Sequence, residues 1–341
     1  MKLTKRMVGR GVAAAVVAGA ALLFAALPVH EAVGQGAGKV VLRFGTGVNP
    51  GSLLQTSVDK FAELVAKKTG DRVEVKIFPS SQLGGEKDQL EAVALGTQDM
   101  TLVSTALLAS QERKYSVIDL PYLFQSYEHA HRAIDGPVGK HLDDLLLKGK
   151  GVRTLAWYDS GFRFVFTAKH EIRKLDDFKG LKIRVPQAEV YIRTFQLLGA
   201  SPTPLPFPEL YGAAQTGAVD GFENISDHTV ATKLYEVAKY GTKTYHIWLA
   251  LNVLVNEKKF RSLSADVQQA MQEAGREAMV AHRAVALRVE NDALAKLAQL
   301  GMKINDIDRG PLREAVRPLW KEIGDKYKAH DLIKQVEQAA Q

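Results

Sequence analysis

Between Ser264 and Leu300 the chain carries no proline, and Ala, Glu, Gln and Arg dominate. Ser264-Ala265-Asp266-Val267 starts this stretch as a capped helix. One helix of ~36 residues would be ~54 Å long, more than the diameter of a single lobe. Such a rod either braces two lobes or pairs in a coiled coil. The 341-residue length favours two lobes of ordinary domain size over one core.

The rest of the chain alternates between the two periodicities. Strands are expected at 40–44, 73–78, 100–103, 152–157, 164–167 and 181–185, around Val219, and at 251–255, with an extended segment at 243–248. Helices are expected at 57–69, 86–95, 127–134, 138–147, 187–198, 208–215 and 230–237. Strands alternating with helices indicate an α/β fold with a parallel sheet. A weak internal repeat supports two lobes of similar wiring. Leu90–Asp99 and Leu210–Asp220 each read as a helix ending at a glycine, then a turn with Asp before an apolar strand.

The N-terminus reads as an export signal. Lys2, Lys5, Arg6 and Arg10 precede an apolar run over 11–27, Pro28 breaks it, and Ala32-Val33-Gly34 offers a cleavage site before Gln35. A retained membrane anchor is the alternative; no later segment is apolar enough to span a bilayer. Cysteine is absent, which excludes disulfides, thiol catalysis and thiolate metal sites. Losing residues 1–34 removes four positive charges and one negative, which lowers the formal +7 to about +4. No basic block with interleaved aromatics is present, which argues against nucleic acid.

The most informative short stretch is Gly180-Leu181-Lys182-Ile183-Arg184-Val185-Pro186, a buried strand stopped by proline. Arginine does not shed its charge in a protein. A buried Arg184 therefore needs an anion, either an internal one such as Glu223 or Glu189 or a carboxylate from outside. Arg163 follows Ser160-Gly161-Phe162 at a strand-to-strand junction, as a second cleft cation or an ion pair with Asp159 or Asp177. Asn224 lies just past the strand end of Gly217–Glu223, where an open α/β sheet binds ligands; it reads as a ligand contact, a helix cap, or both. The alternate prolines of Ala200–Pro208 enforce extended geometry and hold Phe207 toward either a cleft or the core. Catalytic signatures are poor: there is no Gly-x-Ser-x-Gly elbow, His-Glu-x-x-His helix or glycine-rich phosphate loop. His129 and His131 are two apart and read as surface histidines. No cofactor is implied.

Taken in order, five stretches resemble the solute receptors of tripartite ATP-independent periplasmic (TRAP) transporters, the DctP-type family. They are Phe78-Pro79-Ser80-Ser81-Gln82-Leu83-Gly84-Gly85-Glu86, Asp119-Leu120-Pro121-Tyr122-Leu123-Phe124, Gly180 to Pro186, Gly199-Ala200-Ser201-Pro202-Thr203-Pro204, and Gln215 to Asn224. The resemblance implies a two-lobed periplasmic-binding fold, type II-like, whose chain crosses the hinge strands more than once under a long helix that spans both lobes. It places residues 35–162 plus 250–289 in lobe I and 163–249 plus 290–341 in lobe II. It implies a small organic acid as ligand and the integral-membrane transporter subunits as partner. Arg184 matches the family arginine that pairs with the ligand carboxylate, Arg163 the second cleft arginine, Asn224 the cleft asparagine and Phe207 the cleft aromatic. Glu86 and Ser104 fall where lobe I reaches the ligand, Gln187 where some members touch it, and Trp157 and Asp159 in a segment that varies. No glutamate lies near Ser104 as in the sialic-acid type, which argues against sialate. An exported enzyme acting on sugar acids, or a receptor feeding a membrane sensor, remain the alternative functions.

Overall fold

Strand β1 (Val40–Thr46) starts where the described part of the chain begins. The structure, a computed structural model, describes residues 39–340. The expected signal at 1–34 and its cleavage site lie outside the described residues. Strands β2 (Val73–Phe78) and β3 (Met100–Ser104) flank β1 in parallel. Each is reached through a helix, Leu53–Lys68 and then Glu86–Leu95, the right wiring for parallel neighbours. Ser52 caps the first helix by accepting from Gln55 N at 3.2 Å. β4 (Val152–Phe162) and β10 (Trp248–Asn256) complete this sheet in the order β2-β1-β3-β10-β4.

β10 runs antiparallel to both of its neighbours, so the sheet is mixed rather than parallel as expected. The reason is the crossing. β4 and β10 pair from Val152↔Asn256 to Phe162↔Trp248, and just beyond, Arg163 N donates to Ile247 O at 2.8 Å. One residue after β4 ends, the chain enters β5 (Phe164–Thr167), the centre of a second sheet. It contains β6 (Lys182–Val185), β7 (Ser201–Pro204), β8 (Gly221–Asn224), β9 (Tyr240–Lys243) and β11 (Lys303–Asp306), ordered β11-β9-β5-β8-β6-β7. The strand expected around Val219 starts two residues later, at Gly221. β7 holds Pro202 and Pro204 and lies at the edge, the place in a sheet where missing N–H donors are tolerated.

The helix Ala265–Gln299 is unbroken over 35 residues, or ~52 Å. Its buried positions (Val267, Ala270, Met271, Ala274, Gly275, Ala278, His282, Ala286, Glu290, Ala293, Leu297) form one stripe at three- to four-residue spacing and are mostly small. The backbone therefore packs close against β4: a Cβ at Gly275 would come within 2.6 Å of Leu155 O. One core cluster runs from Leu42, Phe44 and Phe61 beside the first sheet to Phe178, Ile183 and Phe195 beside the second, with Met271 and Ala274 of the helix between.

The C-terminal segment departs from its expected place in lobe II. β11 joins the second sheet, but the helices Pro318–Tyr327 and His330–Gln338 bury Leu319, Ile323, Leu332 and Val336 with Tyr115, Ala130 and Leu142 of the first lobe. This packing corrects the surface reading of His129, and a partner in β4 corrects that of His131, which is half-buried. His129 is buried with Nε2 2.7 Å from Val336 O, and His131 Nε2 lies 2.8 Å from Asp159 Oδ2. No helix among the described residues is long and apolar enough to cross a membrane.

Candidate functional site

A cavity of about 260 Å³ lies where the two sheets face each other. The first lobe contributes Glu86, at the start of its helix, and Ser104, at the end of β3. The second contributes Arg184 from β6, Asn224 at the end of β8, and Gln187, Leu205 and Phe207 from the loops beyond β6 and β7. Arg163 and Ser160 enter from the crossing. Strand carboxyl ends thus supply Ser104, Arg184 and Asn224, as expected for an open α/β sheet. Seven of the nine residues singled out from sequence line one cavity.

Trp157 and Asp159 do not. Strand alternation in β4 turns both to the other face, toward the helices that cover the first sheet. Trp157 stacks on Tyr115 at 5.8 Å and its Nε1 donates to Asp143 Oδ2 at 3.2 Å, while Asp159 is taken by His131. Ser160, one position on, takes the opposite face and lines the cavity, and beside it the β4–β10 register shifts, Leu249 pairing with Gly161 and Ala250 with Asp159. Gly161 has φ +107, and a Cβ there would meet Tyr127 Oη at 2.8 Å.

The two arginines are both buried and differ in their partners. Arg163 grips Glu223: Nη2 donates to Oε1 at 2.7 Å and to the Glu223 carbonyl at 2.9 Å, and Nε contacts Oε2. Glu223 is wholly buried, and burial alone would raise its pKa, but the Arg163 charge holds it at about 2. His246 Nε2 lies 3.4 Å from the same carboxylate. Glu223 is therefore the internal acid of this site, and it serves Arg163, in place of the Asp159 or Asp177 expected from sequence.

Arg184 has no carboxylate partner among the described residues. Nε and Nη2 both donate to Leu205 O, at 3.0 and 2.6 Å, and the guanidinium lies 5.7 Å from the centre of the Phe207 ring. Only 3% of the residue is exposed. Burial, with Arg163 adding to it, pushes its pKa down to about 10 despite the attraction of Glu223 and Glu86. The group is still a cation at neutral pH, with one carbonyl for a partner.

The other polar groups are arranged around it. Glu86 Oε2 accepts from Ser104 N and Ser104 Oγ at 2.9 and 2.7 Å, which leaves Oε1 open to the cavity. Asn224 is the last residue of β8, not the cap of the helix Ser226–Ala231, and its buried Nδ2 has no acceptor among the described residues. His228, which sequence reasoning missed, stacks on Phe207 at 4.5 Å and 13°. Burial and the two arginines push its pKa down to about 3, so it is a neutral ring with an unpartnered Nε2. Its position four residues after Asn224, one turn into the next helix, was the available signal. Val48, Leu54, Leu107, Leu249 and Leu251 supply apolar wall. No cluster of potential metal ligands occurs among the described residues.

A family model described as bacterial extracellular solute-binding protein, family 7, matches residues 44–327. The chain belongs to this family. It is 32% identical over 335 residues to the C4-dicarboxylate-binding periplasmic protein DctP of Rhodobacter capsulatus, covering 97% of each chain. Among solved structures it is similar to the sugar acid binding protein DctPAm of Advenella mimigardefordensis in complex with galactonate, with TM-score 0.85, 32% identity, and 89% of this chain and 99% of that one covered. It is also similar to a TRAP periplasmic solute binding protein from Polaromonas sp JS666 bound to D-erythronate, with TM-score 0.84, 31% identity, and coverage of 88% and 98%. As a TRAP solute receptor of family 7, the chain has the two-lobed binding-protein architecture, and these relatives carry the names of binding proteins.

Proposed function

We propose that this family 7 protein works in the periplasm as the receptor subunit of a tripartite transporter. In this reading it captures a polyhydroxylated monocarboxylate (a sugar acid) and delivers it to the membrane subunits. The observation that carries the reading is Arg184, a buried guanidinium that faces the cavity with no carboxylate partner among the described residues. A ligand carboxylate completes its fork as a charge-assisted, bidentate pair. Closure of the lobes excludes water and strengthens that pair, so the ligand shifts the population toward the closed state.

Charge counting narrows the ligand. Arg163 is neutralised by Glu223, so one buried cation remains for the guest. A second carboxylate would face Glu86 across the cavity, whereas hydroxyl groups donate to Glu86 Oε1 and accept from Asn224 Nδ2. At the rim, Lys87 and Asp88 bring opposite charges. The galactonate and D-erythronate complexes of similar proteins agree with a hydroxy acid; the dicarboxylate relative stands for the second reading.

Titration calorimetry of the purified protein with galactonate, D-erythronate and succinate tests this. Binding of either hydroxy acid at least about tenfold tighter than succinate is expected. Tighter succinate binding would overturn the hydroxy-acid assignment, and unchanged affinity in Arg184→Ala would overturn the carboxylate role.

A further inference from the structure

A group of exposed arginines lies away from the ligand cavity. The helix Arg309–Val316 carries Arg309 and Arg313 one turn apart, and Arg317 follows at the same spacing. They line two adjoining cavities of about 240 and 440 Å³, which share Tyr122, Gln125 and Arg313. Each guanidinium is seated on an aromatic ring: Arg309 on Tyr245 at 5.1 Å, Arg313 on Tyr122 at 5.4 Å, Arg317 on Trp320 at 3.9 Å. Stacking fixes the plane of a guanidinium and leaves its N–H edge free.

The rings are themselves held in place. Trp320 Nε1 donates to Pro121 O at 2.9 Å and Tyr122 N to His246 O at 2.8 Å. Tyr122 sits at φ +59, a conformation that a bulky residue seldom adopts without a reason. Three carboxylates line the same groove. Glu337 lies 3.7 Å from Arg317. Glu290 is engaged by Tyr127 Oη and Phe162 N. Glu128 is exposed in the first turn of the helix Tyr127–Ile134. Arg309 and Arg313 have no carboxylate partner among the described residues.

We propose that this groove is a docking site for an acidic peptide segment of a partner protein, gripped by Arg309 and Arg313. Four helical residues advance about 6 Å along the axis. Two residues of an extended strand advance about 6.7 Å. Acidic side chains at alternate positions of an extended segment therefore match the two guanidiniums, and the aromatic floor accepts the segment's apolar atoms.

The test uses the purified full chain and a labelled peptide of about eight residues that alternates glutamate and alanine, with a lysine–alanine peptide as control. Fluorescence anisotropy should detect the acidic peptide only, and binding should weaken as salt rises past about 0.15 M, where the screening length falls to about 8 Å. Arg309→Glu/Arg313→Glu should lose about tenfold or more in affinity, and Arg309→Gln/Arg313→Gln should lose part of it, with circular dichroism unchanged. Equal binding by wild type and the charge-reversed variant overturns the proposal. So does inorganic phosphate competing as tightly as the peptide, which would make this a small-anion site. Binding of phosphatidylglycerol vesicles without peptide binding would assign the groove to a lipid surface and also overturn it.

Discussion

Arg163 and Arg184 enter the same cavity from adjacent parts of the fold, and each is nearly sealed from solvent. Arg163 is matched from within by Glu223, with two side-chain contacts and a carbonyl. Among the described residues Arg184 is matched by one carbonyl alone. Both contain the same guanidinium, but one is paired within the scaffold, and in the proposed reading the other is kept for the ligand. A buried charge is costly unless paired, so on the proposed reading Arg184 costs the empty fold stability that a guest anion would restore.

The contrast breaks most sharply in two measurements on the same pair. For affinity, Arg184→Ala should cost about 3–5 kcal/mol, roughly a hundred- to several-thousand-fold, while Arg184→Lys retains part because a point charge lacks the planar fork. Calorimetry with the best hydroxy acid checks this, and a loss under fivefold would put both arginines in the scaffold. For stability, denaturant unfolding of the ligand-free protein should separate them with opposite signs. Arg163→Met strands the Glu223 carboxylate in the core and should destabilise by about 3–5 kcal/mol. Arg184→Met removes an unpaired charge, so stability should stay level or rise by up to about 2 kcal/mol. Equal losses from both would erase the distinction.

Acid provides a gentler probe. Glu223 has a folded pKa of about 2 against an ordinary value of 4.5. Because the folded value is depressed, the contribution is present above about pH 4.5 and is lost as pH falls toward 2. Stability should therefore drop by a few kcal/mol over that window, and Glu223→Gln should flatten the slope there while lowering stability at neutral pH. Arg184 has no such arm, so Arg184→Met should leave the acid slope intact.

How far this contrast was legible in the sequence depends on the range of the signal. The strand Lys182–Val185 and its proline stop are local, and so were the helices Glu86–Leu95 and Tyr127–Ile134, read to the residue. The long helix follows from a missing proline and the dominance of Ala, Glu, Gln and Arg. What was not legible is partner choice across sheets. Glu223 was weighed as the partner of Arg184, yet β5 and β8 pair antiparallel with Phe164 opposite Asn224, which brings Glu223 beside Arg163 instead. That register is a tertiary fact with no local signal. The turning away of Trp157 and Asp159 depends on the face β4 presents, and the burial of His129 on a C-terminal helix that packs on the first lobe instead of the second.

The smallest expected effect tests the ligand side of the comparison. Glu86 offers the cavity a carboxylate oxygen while Ser104 fixes the other with two hydrogen bonds. If one unmatched cation and one facing anion define the guest, then Glu86→Gln should act in opposite directions on two ligands. The amide keeps the shape and one acceptor but drops the charge, so a hydroxy acid loses a charge-assisted hydrogen bond, about 1–2 kcal/mol. A dicarboxylate loses a repulsion and should bind a few-fold tighter. Paired titrations of galactonate and succinate would read both effects on one preparation. Parallel losses for the two acids would mean that Glu86 shapes the wall without choosing the guest, and that selectivity resides elsewhere in the cavity.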